Sequence, residues 1–171
     1  MHIIKLLACV AFGITTVRGD GAAITNAISS IQNATIDLAD TVDKWPGDLL
    51  GSLPISGKSI SLLVTINKAT VVAHQSANLS DIEAFTVGLA TITLASKVNT
   101  TLNTIIAAKP KFDRLLILDP ITLFSLWAEK VASADFSNAV IEKLPDNLKT
   151  LGGQLASQID ASFTQAIDVY K

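Results

Sequence analysis

The residues able to do chemistry are few, and none is spaced for it. Beyond position 19 the chain holds one histidine, His74, and no cysteine, because His2 and Cys9 both fall in the first nineteen residues. A Ser-His-Asp triad would have to be built on His74, and no Gly-x-Ser-x-Gly elbow accompanies it. A zinc site would need further good ligands, and neither a second imidazole nor a thiolate is at hand. His74 therefore reads as a helix-end histidine near the Asn78 turn. The carboxylate pairs Asp37 with Asp40 and Asp43 with Asp48 sit where an exposed helix face or a loop would place them, and solvation accounts for them. No phosphate-cradling glycine motif occurs. No catalytic residue, metal or cofactor is expected, and the chain does not read as an enzyme.

What remains is an excess of Leu, Ile, Val and Ala interrupted by hydroxyls. Ser137 lies one helical step from Ala134, Val140, Ile141 and Leu144, and Ser162 lies between Leu155, Ile159 and Ala166; Ser157 is less clearly inward on the wheel. A hydroxyl in such a setting either bonds back to its own helix or holds the head group of an apolar ligand. Ser137, Ser157 and Ser162 are the candidate head-group residues. The candidate acyl-chain lining is Leu63, Ile66, Phe85, Leu89, Ile92, Leu102, Phe124, Trp127, Val140, Ile141, Leu155, Ile159 and Phe163. A fatty acid of ~20 heavy atoms at ~0.3 kcal/mol per atom would gain roughly 6 kcal/mol, a dissociation constant of tens of micromolar.

The elements that must position these residues are helices. Ile24, Ile28, Ile31, Leu38, Val42 and Trp45 recur at spacings of three and four, the stripe of an amphipathic helix ended by Trp45-Pro46-Gly47. The stretch to Gly57 is expected to be a connector pinned by Leu49, Leu50, Leu53 and Ile55. A second helix is predicted over Lys58 to Gln75. A third starts at the capping box Ser80-Asp81-Ile82-Glu83 and runs to about Lys109, where Pro110 is expected to stop it. Its apolar residues cover well over half the wheel, which predicts a place at the centre of the bundle and puts Asn99 in the apolar arc. Asp119-Pro120 opens a fourth helix with Asp119 as cap, and Pro145-Asp146 opens a fifth carrying Leu148, Leu151, Leu155, Ile159, Phe163, Ile167 and Tyr170 on one stripe. No segment alternates with period two. The expected fold is all-α: one domain, a bundle of about five helices without disulfides.

The first nineteen residues read as a secretory signal peptide: Lys5, an apolar run from Leu6 to Ile14, then Val17-Arg18-Gly19. That run falls short of the ~20 residues a bilayer span needs, so no stable membrane insertion is expected. The expected domain is residues 20–171. Of the 13 basic residues, Lys5 and Arg18 leave with the signal, so 11 face 15 acidic ones, a net charge of −4 that recruits neither nucleic acid nor an anionic membrane. Sequons stand at Asn33, Asn78 and Asn99. Asn33 and Asn78 are expected glycan acceptors, and Asn99, read as inward, a poor one. With no hydrophobic tail after Lys171, release into the medium is expected, as a monomer or weak homodimer.

Three segments together carry a family resemblance: Ser80-Asp81-Ile82-Glu83, Lys109-Pro110-Lys111-Phe112 after a long Thr-rich helix, and the closing Phe163-Thr164-Gln165-Ala166-Ile167-Asp168-Val169-Tyr170. Over nearly the whole chain from Ala22 to Lys171 it resembles the fungal hydrophobic surface-binding protein A and cell-wall galactomannoprotein family. The resemblance implies a secreted helical bundle that binds fatty acids such as arachidonate or palmitate, or adsorbs to hydrophobic surfaces. It also implies serine hydroxyls on the carboxylate, with Ser137 and Ser157 in the corresponding positions. In a pathogen such a protein could sequester host lipids. A ligand-free wall glycoprotein is the third reading, although this chain lacks the Ser/Thr-rich anchor of the longer wall mannoproteins.

Overall fold

The computed structural model describes residues 20–115 and 117–171. The signal peptide expected over residues 1–19 lies outside the described residues. Five helices follow in order: α1 (Asp20–Asp43), α2 (Ser52–Gln75), α3 (Asp81–Asp113), α4 (Leu118–Lys143) and α5 (Asp146–Tyr170). No strand occurs among the described residues. The fold is the all-α bundle the periodicities predict.

The helices form a closed ring in the order α1, α2, α4, α5, α3 and back to α1, with only slight contact between α3 and α4 across the middle. Hydrogen bonds between helices set their directions. Gly21 N–H reaches Glu83 and the Lys111 ammonium reaches the Trp45 carbonyl, so α1 and α3 run alike. Asn99 with Ser162 and Ile105 with Tyr170 align α5 with α3. Ser59 with Glu129 and His74 with Lys143 align α2 with α4.

One end of the ring is plugged by aromatics. Trp45, Phe112 and Tyr170 are all buried, with Phe112 4.5 Å from the Trp45 ring and 5.8 Å from that of Tyr170. The Trp45 indole N–H donates to the Asp48 carbonyl at 2.8 Å and the Tyr170 hydroxyl to the Ile105 carbonyl at 2.7 Å, which satisfies the polar end of each ring. Burial, followed by the charges of Asp119 and Asp113, pushes the Tyr170 phenol above its ordinary value.

Five expectations are corrected here. Helix α3 is one wall of the ring and has no central position: Ala84, Val87, Leu94, Val98, Leu102 and Ile105 face inward, while Phe85, Leu89 and Ile92 are at least half exposed. Its broad apolar arc covers two surfaces. Asn99 accordingly is exposed rather than inward. Pro110 does not stop α3, which continues to Asp113; the last turn is held by Phe112 in the plug, by the Lys109 pairing with Asp113 and by Lys111 on Trp45. Asp119 is in the first turn of α4 and does not cap it; its carboxylate takes Lys109 at 3.1 Å. Finally, residues 52–57 belong to α2, with Pro54 in the first turn where its missing N–H costs nothing. Leu49, Leu50 and Leu53 pin nothing and are exposed, so the segment is held by Ser52, Ile55 and Trp45.

The capping box at Ser80 and Glu83 is present in both directions, and the Ser80 hydroxyl and backbone N–H hold the Glu83 carboxyl below the ordinary glutamate value. Ser80→Ala is expected to cost about 1 kcal/mol. The check is a lower urea midpoint with an unchanged slope.

Candidate functional site

Inside the ring lies a cavity of about 170 Å³ walled by all five helices. That is more than ten times the ~10–15 Å³ one water requires, yet a stable water also needs two to four polar partners, and the walls offer few. The Thr35 and Thr101 hydroxyls are taken up by the carbonyls of Ile31 (2.8 Å) and Thr35 (3.2 Å), which leaves their methyls to the interior. The lining is long as well as narrow. It extends along α4 from Glu129 to Leu144 and along α5 from Leu148 to Phe163, about 22 Å at 1.5 Å per residue.

The plugged end of the ring is closed, and the other end is open between the N-terminal halves of α3 and α5. There Phe85, Leu89, Ile92 and Leu151 line the cavity while half or more of each side chain meets solvent. Burial of apolar surface favours hiding such a lip.

A second opening, polar in character, lies between α4 and α5. A recess of about 220 Å³ there shares Ser133, Ser137, Ala156, Ile159 and Phe163 with the cavity and adds Lys130, Asn138, Ser157 and Asp160. The Lys130 ammonium lies 3.2 Å from the Asp160 carboxylate and 2.9 Å from the Thr164 hydroxyl. Among the described residues the hydroxyls of Ser133 and Ser137, which line both the cavity and the recess, make no hydrogen bond within the protein. Cation, hydroxyls and apolar tunnel thus meet at one window.

The third polar feature is Glu129. It is 3 % exposed and borders both the cavity and a smaller pocket of about 40 Å³ toward the aromatic plug. The Ser59 hydroxyl donates to Glu129 Oε1 at 2.6 Å. Desolvation raises the Glu129 pKa to about 7, opposed in part by that hydrogen bond.

Of the residues singled out from sequence, Ser137, Ile66, Phe85, Leu89, Ile92, Leu102, Val140, Ile141, Leu155, Ile159 and Phe163 line the cavity. Ser157 stands on the rim of the window and donates to the Gly153 carbonyl at 2.9 Å. Ser162 lies outside, at the seam of α3 and α5, bonded to the Gln158 carbonyl at 3.1 Å. Leu63, Phe124 and Trp127 line a shallow groove on the outer face of α2 and α4; Phe124 is 75 % exposed. Trp45 belongs to the plug. Sequence reasoning missed Ser133, Lys130 and Glu129. The available signal was the spacing Glu129, Ser133, Ser137 on α4, every fourth residue beside Phe136 and Val140, which puts all three on one stripe. Asn33 and Asn78 are both exposed. No group of three or more metal-ligating side chains and no helix long and apolar enough to cross a membrane occurs among the described residues.

A ring of helices around an elongated apolar cavity, with a polar window in its side, defines a helical bundle of the ligand-enclosing kind. The chain belongs to the hydrophobic surface binding protein A family, whose model matches residues 21–142. It is 26% identical over 165 residues to cell wall mannoprotein 1 of Aspergillus flavus, covering 96% of this chain and 59% of that protein's length. The structure of Afmp4p in complex with palmitic acid superposes with a TM-score of 0.85 at 26% identity, over 88% of this chain and 99% of that one. Ligand binding domain 1 of Penicillium marneffei MP1, complexed with arachidonic acids, gives 0.84 at 16% identity over 89% and 99%, a likeness of fold.

Proposed function

We propose that this protein is an exported carrier that encloses one long-chain fatty acid, with palmitate and arachidonate as the representative ligands. The observation that carries the reading is the junction of cavity and window. An acyl chain takes the apolar tunnel, and the carboxylate rests in the window against Ser137, Ser133 and Ser157, with Lys130, shared with Asp160, as the nearby cation. A charge-assisted hydrogen bond in a partly buried setting contributes more than a neutral one. The palmitic acid held by Afmp4p supports this ligand class. The protein acts outside the cell, free or wall-associated, after removal of residues 1–19, with glycans on Asn33 and Asn78. By removing fatty acids from solution it would sequester host lipids.

Native mass spectrometry of purified protein followed by organic extraction tests the reading; a stoichiometric fatty acid is the expected result, and an empty protein that fails to displace a fluorescent fatty acid would sink it. Lys130→Met is expected to weaken palmitate about tenfold, and Ser137→Ala with Ser157→Ala several-fold, through loss of head-group hydrogen bonds. Unchanged affinity in all three variants would remove the window assignment. A second reading, adsorption to hydrophobic solids, is favoured by the exposed outer groove of Phe124, Trp127 and Val131. Depletion from solution by hydrophobic beads, lost in Phe124→Ser with fatty-acid binding retained, would support it.

A further inference from the structure

The cavity contains one group that a simple fatty acid has no use for. Among the described residues Glu129 is the only side chain of ionisable type lining the cavity or the smaller pocket beneath it. The elements packed around it, α1, α2, α3 and α5, contribute Leu38, Ser59, Leu62, Ile66, Ile105 and Phe163 to those linings and no charge. Ser59 occupies Oε1, and no other protein group among the described residues hydrogen-bonds the carboxyl. Tying α2 to α4 would need only one oxygen. A carboxyl set in an apolar wall with one oxygen unused by the protein is costly to bury, and an aliphatic side chain of similar volume would do better. The second oxygen therefore suits a partner that the protein does not contain.

Its place along the tunnel selects that partner. Glu129 is four residues from Ser133 and eight from Ser137 on α4, about 6 Å and 12 Å at the helical rise. An extended hydrocarbon advances about 1.3 Å per carbon, given C–C bonds close to 1.52 Å. A chain whose head group rests between Ser133 and Ser137 and whose tail runs toward the plugged end passes Glu129 between about its sixth and tenth carbons. A hydroxyl there both donates and accepts, so it fits the carboxyl whether or not the carboxyl holds a proton.

We propose that Glu129 and Ser59 form a second polar subsite, one that recognises fatty acids carrying a mid-chain hydroxyl, between about the sixth and tenth carbons. This rests on the fatty-acid reading above and narrows it to hydroxylated chains. An unpartnered hydroxyl loses its hydration on entering an apolar tunnel, so a cavity without the subsite discriminates against such lipids.

The test compares stearate with 10-hydroxystearate by calorimetric titration of delipidated protein. Wild type is expected to bind the hydroxylated lipid at least as tightly as stearate, and Glu129→Leu to bind it at least tenfold more weakly than stearate; Glu129→Gln, whose amide can still reach a hydroxyl, should keep the wild-type ratio. A second readout uses wild type alone. The chain has three glutamates, Glu83, Glu129 and Glu142, so the Glu129 carboxyl carbon is resolvable by NMR after ¹³C labelling, and it should shift with 10-hydroxystearate more than with stearate. A tenfold preference of wild type for stearate, a ratio unmoved by Glu129→Leu, or equal carboxyl shifts with the two lipids would overturn the subsite. Failure of stearate and 10-hydroxystearate alike to bind would overturn the fatty-acid reading itself.

Discussion

Replacing Glu129 by leucine is expected to raise the stability of the ligand-free protein at pH 8 by about 3 kcal/mol, a shift from pKa 4.5 to about 7 at 1.36 kcal/mol per unit. The sign follows from proton counting. Below pH 4.5 the carboxyl is protonated in both folded and unfolded chains. Between 4.5 and about 7 the folded state keeps a proton that the unfolded chain has released, so stability falls as pH rises. Above 7 both states are ionised and the whole cost of burying the charge is present. Urea unfolding should therefore show wild type losing stability between pH 5 and pH 8 relative to Glu129→Leu, with the variants nearly equal at the acid end. For a chain of this size the difference at pH 8 corresponds to a melting temperature roughly 6–12 °C higher in the variant. A variant less stable than wild type at pH 8 would show that the Ser59–Glu129 hydrogen bond outweighs desolvation.

The second large effect concerns the cavity's free space. Gly88 lies inside α3 and on the cavity wall, and apart from its chain neighbours and its own helix backbone no atom stands within 4 Å of where its Cβ would be. Gly88→Leu should drive its new side chain into the tunnel. Excluding three or four methylenes of ligand at ~0.8 kcal/mol each removes roughly 3 kcal/mol, about a hundredfold in affinity. The same change should stabilise the empty protein by at least ~0.5–1 kcal/mol, since glycine is a poor helix former and the added atoms find apolar surroundings. Opposite signs for binding and stability are the diagnostic outcome, read by titration with palmitate and by thermal melting. Gly152 offers no such room: a Cβ there would lie 2.7 Å from Leu144 Cδ1 where α4 and α5 approach closely. Gly152→Leu should lose stability as well as ligand.

The helices themselves were legible because each carries a stripe at spacings of three and four and most are bounded by chemistry with a local cause, such as the Ser80 box and Pro145. Neighbours were not. A wheel shows which face is apolar and is silent about what covers it, and for that reason the broad arc of α3 suggested a central helix when part of it forms the lip of an opening. Pro110 misled because its local cost is outweighed by the aromatic plug, an interaction of the segment after α1 with α3 and α5 that no window of sequence contains. The hydroxyls illustrate the same limit. Ser137 and Ser162 both face away from bulk solvent on the wheel, yet one reaches a cavity and the other a helix seam. Glu129 was passed over since an acidic residue is ordinarily solvated; its apolar neighbours at Leu126, Ala132 and Phe136 marked it as an exception.

Ring closure also bears on how the ligand gets in. Helix α5 emerges after the other four helices during synthesis, and its neighbour α3 is distant in the chain, so the tube exists only after that docking. Until then the cavity is an open trough whose floor is Ile31, Leu38, Leu62 and Ile66 and whose rims are α3 and α4. If the protein encloses a fatty acid as proposed, lipid present at that moment would be walled in rather than threaded through the lip, and material purified from cells is then expected to arrive loaded. Empty protein for titration is then best obtained by unfolding in denaturant, extracting the lipid and refolding in its absence.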